Sequence, residues 1–201
     1  MNAREIYNLG LDKLKTFDLK SLLPALRFAN QGAIGDVMNT NGCANYQWSS
    51  CIAKELKPKQ TIELGGAMGV WSICMLHNLP SDCKLFSITL PENGLEFSYI
   101  KDNYPNLVKV LGNDLTQGVW PKDLDLSKTD LWFFDSEHSE MQLNAELKIY
   151  ESFFKKGTIL LFDDIHINPG MELVWEGLKK KYDSWDCTDP LHYSGFGLCI
   201  I

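Results

Sequence analysis

The chain has 201 residues, 45% of them hydrophobic, with 19 Lys and Arg against 26 Asp and Glu for a formal charge of −7. That composition suits one globular domain with its own core and excludes a disordered chain. The acidic balance argues against a protein that grips nucleic acid by its phosphates, which needs a basic face. No apolar run approaches the roughly 20 residues that span a bilayer. The opening Met1-Asn-Ala-Arg-Glu5 lacks the apolar stretch of a secretion signal. The expectation is a cytoplasmic protein with no membrane partner. Six cysteines without a C-x-x-C pair, several inside apolar runs, read as buried free thiols in a reducing compartment and give a zinc site little support.

In chain order, Ile6, Leu9, Leu11, Leu14 and Phe17 recur at helical spacing. Ser21 to Ala29 predicts a second helix with Pro24 in its first turn, Asn39 to Cys43 a turn cluster, and Tyr46 to Leu56 a further helix. From residue 60 the pattern changes to alternating strands and helices. Strands are predicted at Thr61–Leu64, Lys84–Leu90, Val108–Leu111, Asp130–Phe134 and Thr158–Phe162. Helices are predicted at Val70–Asn78, Leu95–Asn103, Met141–Phe154 and Gly170–Lys181. Two more strands, Asp183–Asp186 and Phe196–Ile201, follow around a long loop. The fold class is therefore α/β: a Rossmann-like, doubly wound, seven-stranded and mainly parallel sheet. Residues 1–57 form an N-terminal helical cap and residues 58–201 the α/β core of one domain.

Ligands of such sheets bind outside the carboxyl ends of the strands, and the chemistry-bearing residues fall there. The first is Thr61-Ile-Glu-Leu-Gly-Gly-Ala-Met-Gly69, a strand, an acid (Glu63) and a glycine turn (Gly65, Gly66, Gly69) leading into a helix. Glycines at such a turn admit a close ligand, and the helix start offers N–H groups. The spacing is not the G-x-G-x-x-G of a dinucleotide site. The fourth strand ends Asp135-Ser-Glu-His138 and the fifth Asp163-Asp164-Ile-His166. Adjacent parallel strands lie about 4.8 Å apart, so Asp135, Asp163 and Asp164 can converge. Converging carboxylates repel unless a cation intervenes, and Mg²⁺ or Ca²⁺ is the simplest one. The alternative is that these acids cap the helices that follow.

The glycine turn resembles the first motif, E-x-G-x-x-x-G, of class I S-adenosylmethionine-dependent methyltransferases. With Asn113-Asp114 after the third strand, Asp135 and His138 after the fourth, and Asp163-Asp164 after the fifth, residues 45 to 175 resemble the metal-dependent O-methyltransferases. That group contains the catechol and caffeoyl-CoA enzymes and the bacterial sugar and macrolide enzymes. The resemblance implies transfer of a methyl group from S-adenosylmethionine to a hydroxyl of a small molecule, and a homodimer. It implies a divalent cation, Mg²⁺, held by Asp135, Asp163 and Asp164, with His138 as general base. It further implies cofactor contacts from Glu63, Gly65, Gly66, Gly69, Ser72, Asp114 and Asp135. One position departs from the pattern: where an acid usually ends the second strand to hold the ribose, this chain has Thr89, with Glu92 three residues on.

His166, His192 and Tyr193 are candidate substrate contacts, with a loop residue, a hairpin or a dimer interface as the plainer readings. Trp132 and Trp175 read as core; Trp48 and Trp71 are candidate pocket walls, and Trp120 a neighbour of adenine. Asn41, Tyr46 and Gln47 are candidates to close over the cofactor. Two other functions stand beside the enzyme. A nicotinamide-dependent reductase would need the missing dinucleotide motif and would leave Asp163-Asp164 unexplained. A degenerate methyltransferase fold that only binds draws its support from Thr89.

Overall fold

The computed structural model describes residues 1–22, 44–67, 69–90 and 104–201. The predicted helices at 21–29 and 95–103, the turn at 39–43 and the candidates Asn41 and Glu92 lie wholly or mainly outside those residues. Helices are α1 (Ala3–Leu14), α2 (Asn45–Leu56), α3 (Val70–Asn78), α4 (Glu140–Tyr150) and α5 (Pro169–Lys181). Strands are β1 (Gln60–Leu64), β2 (Lys84–Thr89), β3 (Leu107–Leu111), β4 (Leu131–Phe134), β5 (Ile159–Asp163), β6 (Asp183–Asp186) and β7 (Phe196–Ile200). They form one sheet in the order β3-β2-β1-β4-β5-β7-β6. Strands β1 to β5 are parallel, and β7 runs antiparallel between β5 and β6. The chain order reverses between β1 and β4, which is where such sheets open a crevice.

The helix ends follow local chemistry. Asn2 and Glu5 form a reciprocal capping box at α1, each side chain accepting a backbone N–H from the other at 2.9 Å. Ser139 caps α4, and Asn168 with Pro169 starts α5. The predicted helix 141–154 ends at Tyr150 and tightens into a 3₁₀ turn, Glu151–Phe153.

The central strands are buried on both faces, yet their side chains alternate between two cores. Leu131 and Phe133 of β4, and Ile159 and Leu161 of β5, pack with α1, α2 and α3. Trp132, Phe134, Leu160 and Phe162 pack with α4 and α5. This period of two decides the site, because Asp135 and Asp163 continue the odd-numbered row and so leave the sheet toward α2. Helix α2 is held there from below. Trp48 is fully buried, its indole donating to the Tyr7 carbonyl at 3.1 Å. Gly10 leaves room for that ring, since a Cβ at position 10 would lie 2.2 Å from the indole nitrogen.

Candidate active site

The turn after β1 is built from close backbone approach. Gly65 has φ +89, and a Cβ there would sit 1.9 Å from the Asp135 carbonyl oxygen. A Cβ on Gly66 would sit 2.0 Å from Ser87 Oγ. The N–H groups of both glycines donate to the Ile88 carbonyl, at 3.1 and 2.8 Å. They therefore tie β1 to β2 and do not face a ligand; the glycines serve close packing at the crevice floor. Gly69, at φ +73, starts α3 and donates to the Gly66 carbonyl. Glu63 is buried under the turn and accepts the Ser72 hydroxyl. Burial raises its pKa, against the opposing pull of that bond. Both residues act beneath the turn, one step back from the cleft surface.

Above the turn lies a cleft of about 370 Å³ lined by Gly65, Ala67, Thr89, Asp114, Asp135 and Gln142 among others. It spans the ends of β1, β2, β3 and β4. Thr89 is buried and closes β2 where the acid of the methyltransferase pattern would stand. Asp114 is fixed from two sides: Tyr150 donates its hydroxyl to the Asp114 carbonyl, and Gln142 Nε2 donates to Oδ1 at 3.0 Å. Behind them Glu146, buried on α4, accepts from the Ser136 hydroxyl and from Gln142 Nε2.

The acids of β4 and β5 meet beside that cleft. Phe134 pairs with Phe162, which sets Asp135 level with Asp163. Asp164 has φ +55, a left-handed turn that brings its carboxylate back to the same cluster. Two histidines complete it. The His138 ring nitrogens lie 3.1 Å from Asp135 Oδ1 and 3.1 Å from Asp164 Oδ2. His192 Nε2 lies 3.1 Å from Asp164 Oδ1 and 3.6 Å from Asp163 Oδ1. Helix α2 supplies two donors, Asn45 Nδ2 to Asp163 Oδ1 at 2.8 Å and the Tyr46 hydroxyl to Asp135 Oδ2 at 3.0 Å. Ser194 donates to Asp164.

Burial first, and then neighbouring acids, push Asp135 and Asp163 well above the usual carboxylate range. Asp164 goes the other way: its partial desolvation is outweighed by the bonds from His192 and Ser194 and by the nearby imidazole charge. Three acids, two of them strained by burial and mutual repulsion, make a donor set that a cation would relieve. Among the described residues, two overlapping sets present atoms close enough to hold one ion, Asp135–His138–Asp163 and Asp163–Asp164–His192. Either set fits a divalent cation; Asp163 is common to both, and neither contains all three acids.

The remaining candidates fall elsewhere. His166 is bound at 2.8 Å to Asp186 and lies 3.3 Å from Glu172, which ties the loop after β5 to β6 and α5. Tyr193 is exposed. Trp48 and Trp71 are not pocket walls but fully buried core, Trp71 stacking on Phe133 at 4.6 Å. Trp120 packs against Tyr150 and donates to its hydroxyl. Asn45, Ser136, Gln142, Glu146 and Ser194 carry no motif, and their partners come from other elements of the fold.

A family described as "Methyltransferase domain" matches residues 62–165, more than half of the chain. The chain belongs to that methyltransferase-domain family. No curated protein matches it in sequence. Among solved structures it is similar to a methyltransferase from Geobacter sulfurreducens (15% identity, 88% of each chain covered, TM-score 0.66). It is similar also to an SAH-bound methyltransferase from Podospora anserina (13% identity, 90% of this chain and 87% of that one, TM-score 0.67). An O-methyltransferase from Bacillus cereus in complex with SAH is a third (15% identity, 91% and 90%, TM-score 0.62). At these identities the likeness establishes the fold.

Proposed function

We propose that the chain is an O-methyltransferase that moves the methyl group of S-adenosylmethionine to a hydroxyl of a small molecule. The observation that carries this reading is the place of Asp135, which lines the 370 Å³ cleft and also belongs to the acid–histidine cluster. A cofactor in the cleft and an acceptor at the cluster would therefore be neighbours. The two similarly folded proteins that carry SAH support S-adenosylmethionine as the cofactor.

In this reading Asp114, braced by Gln142 and Tyr150, receives the adenine amino group. Thr89 stands at the ribose, where it offers one hydroxyl in place of a carboxylate. The loss of a charge-assisted contact there costs affinity on the order of 1.5–3 kcal/mol. Asp135, Asp163 and Asp164 would hold a divalent cation, which when bound lowers the pKa of a coordinated hydroxyl and fixes its direction. Tyr46 and Asn45 hold Asp135 and Asp163 in place from α2. His138 takes the hydroxyl proton. The acceptor oxygen then forms its bond to the methyl carbon as the carbon–sulfur bond breaks, and S-adenosylhomocysteine leaves. Much of the acceleration comes from aligning oxygen, carbon and sulfur. The acidic charge and the modest cleft favour a small acceptor over nucleic acid.

Calorimetry with S-adenosylmethionine, with and without Mg²⁺, tests the reading. Binding in the micromolar range is expected. Asp163→Ala should abolish metal-dependent turnover and leave cofactor affinity within about threefold. Absence of cofactor binding would refute the assignment; full turnover in excess chelator would remove the cation from it. Tight cofactor binding with no turnover on any hydroxyl acceptor would favour a binding protein, the reading that Thr89 supports.

A further inference from the structure

The cluster carries more nitrogen than a three-acid cation site requires. We propose that His192 is itself a ligand, so that the site is a mixed nitrogen–oxygen centre that takes a later first-row transition ion, such as Co²⁺, rather than Mg²⁺. The inference rests on the cation-binding part of the function proposed above.

The donor separations carry it. Two ligands each about 2.1 Å from one ion, and about 90–110° apart, lie roughly 3.0–3.4 Å from each other. His192 Nε2 is 3.1 Å from Asp164 Oδ1, inside that range, and 3.6 Å from Asp163 Oδ1, just beyond it. The imidazole is not a surface group swung in by chance, for its side chain is only 12% exposed. Its backbone N–H donates to the Thr188 carbonyl at 2.8 Å, and Ser194 Oγ lies 3.1 Å from Nε2. The adjoining Leu191 carbonyl accepts the Ala44 N–H at 2.7 Å, next to Asn45, which holds Asp163. One docking contact thus positions both a ligand and the brace of its neighbour. Oxygen-only sets suit Mg²⁺, whereas imidazole suits the later first-row ions.

A rival role for His192 makes the opposite prediction. If the ring were only a positive counter-charge for the acids, its removal would tighten every cation. If it were only packing, its removal would weaken all cations alike. Loss of a nitrogen ligand instead weakens Co²⁺ more than Mg²⁺.

The experiment is calorimetric titration of the chelator-stripped full chain with Co²⁺, Mn²⁺ and Mg²⁺ separately, for wild type, His192→Ala, His192→Gln and Asp163→Asn. The visible absorption of the Co²⁺ form is recorded alongside. Near-UV circular dichroism checks the fold, and His192→Gln serves if His192→Ala loses its native spectrum. The expected result is a Co²⁺ affinity at least 10–100-fold weaker in both His192 variants, since even lost supporting contacts cost about that much. The ratio of Co²⁺ to Mg²⁺ affinity falls with it, and the Co²⁺ spectrum changes. Unchanged Co²⁺ affinity, tighter binding of all ions, or equal weakening of all ions overturns the proposal. Cation loss in Asp163→Asn but not in the His192 variants would sink this inference alone. A wild type that binds no ion would sink the cation part of the proposed function with it.

Discussion

Replacing Glu146 with glutamine should change how stability depends on pH, by an amount the structure sets. Glu146 is buried on α4, 1% exposed, beside Asp114 and under the Ser136 and Gln142 donors. Burial first, and then the Asp114 carboxyl, push its pKa from the ordinary 4.5 up to about 9. Between those values the native chain holds a proton that the unfolded chain has released. Native protein then binds more protons than unfolded protein, so stability falls as pH rises through this window. The slope is about 1.4 kcal/mol per pH unit for one proton, so wild type loses about 3 kcal/mol from this group between pH 6 and 8. Glutamine keeps the acceptor oxygen for Ser136 and Gln142 and offers Asp114 an N–H, with nothing to ionise. Glu146→Gln should therefore gain on wild type by about 3 kcal/mol across that range. Urea denaturation at pH 6, 7 and 8 measures the gap. Parallel curves for the two proteins would show that Glu146 carries no extra proton, and the argument for its burial energetics would fail.

Two further outcomes test the scaffold. Gly65→Ala places a Cβ 1.9 Å from the Asp135 carbonyl at φ +89, so it should cost more than about 3 kcal/mol in thermal or chemical denaturation. The variant should also bind cations less tightly, because the strain falls on Asp135; a stable variant with native cation affinity would contradict the role given to that turn. Cys51, Cys74, Cys83, Cys187 and Cys199 are buried thiols outside any disulfide, and burial pushes the Cys51 and Cys83 thiols up to about 11 and Cys199 up to about 12. At least five of the six thiols should stay unreacted with a thiol reagent at pH 8 until the chain is denatured. Rapid native labelling of two or more would disprove that packing.

The parts of the site that the sequence made legible are those set by strand ends. Runs such as Leu131-Trp-Phe-Phe and Ile159-Leu-Leu-Phe announce buried parallel strands, and an acid at the end of each must emerge at the same sheet edge. The helix starts were readable for a similar reason, since Ser139 and Asn168 are local caps that need only their own next turn. The braces were not readable. Asn45 lies 118 residues from Asp163 and Tyr46 lies 89 residues from Asp135, and no local pattern marks either pairing. Glu146 looks like an ordinary helix acid until Ser136 and Asp114 close over it. The tryptophans misled for a related reason: Trp71 adjoins the glycine turn in sequence, but its helix directs the ring down onto Phe133. The glycine turn falls between β1 and α3 as its spacing predicts, while its hydrogen bonds to Ile88 emerge only when β2 is placed beside β1.

The contact between Ala44 and Leu191 has a consequence for assembly. Asp163 ends β5, which pairs with β7 at Asp163–Phe196, so the acids sit on a sheet that includes the last strand. The Ala44 N–H bond to the Leu191 carbonyl joins the start of α2, which carries Asn45, to the segment that carries His192, across most of the polypeptide. Contacts of such sequence separation are slow to close. Maturation of this centre is tied to completion of the carboxyl-terminal hairpin.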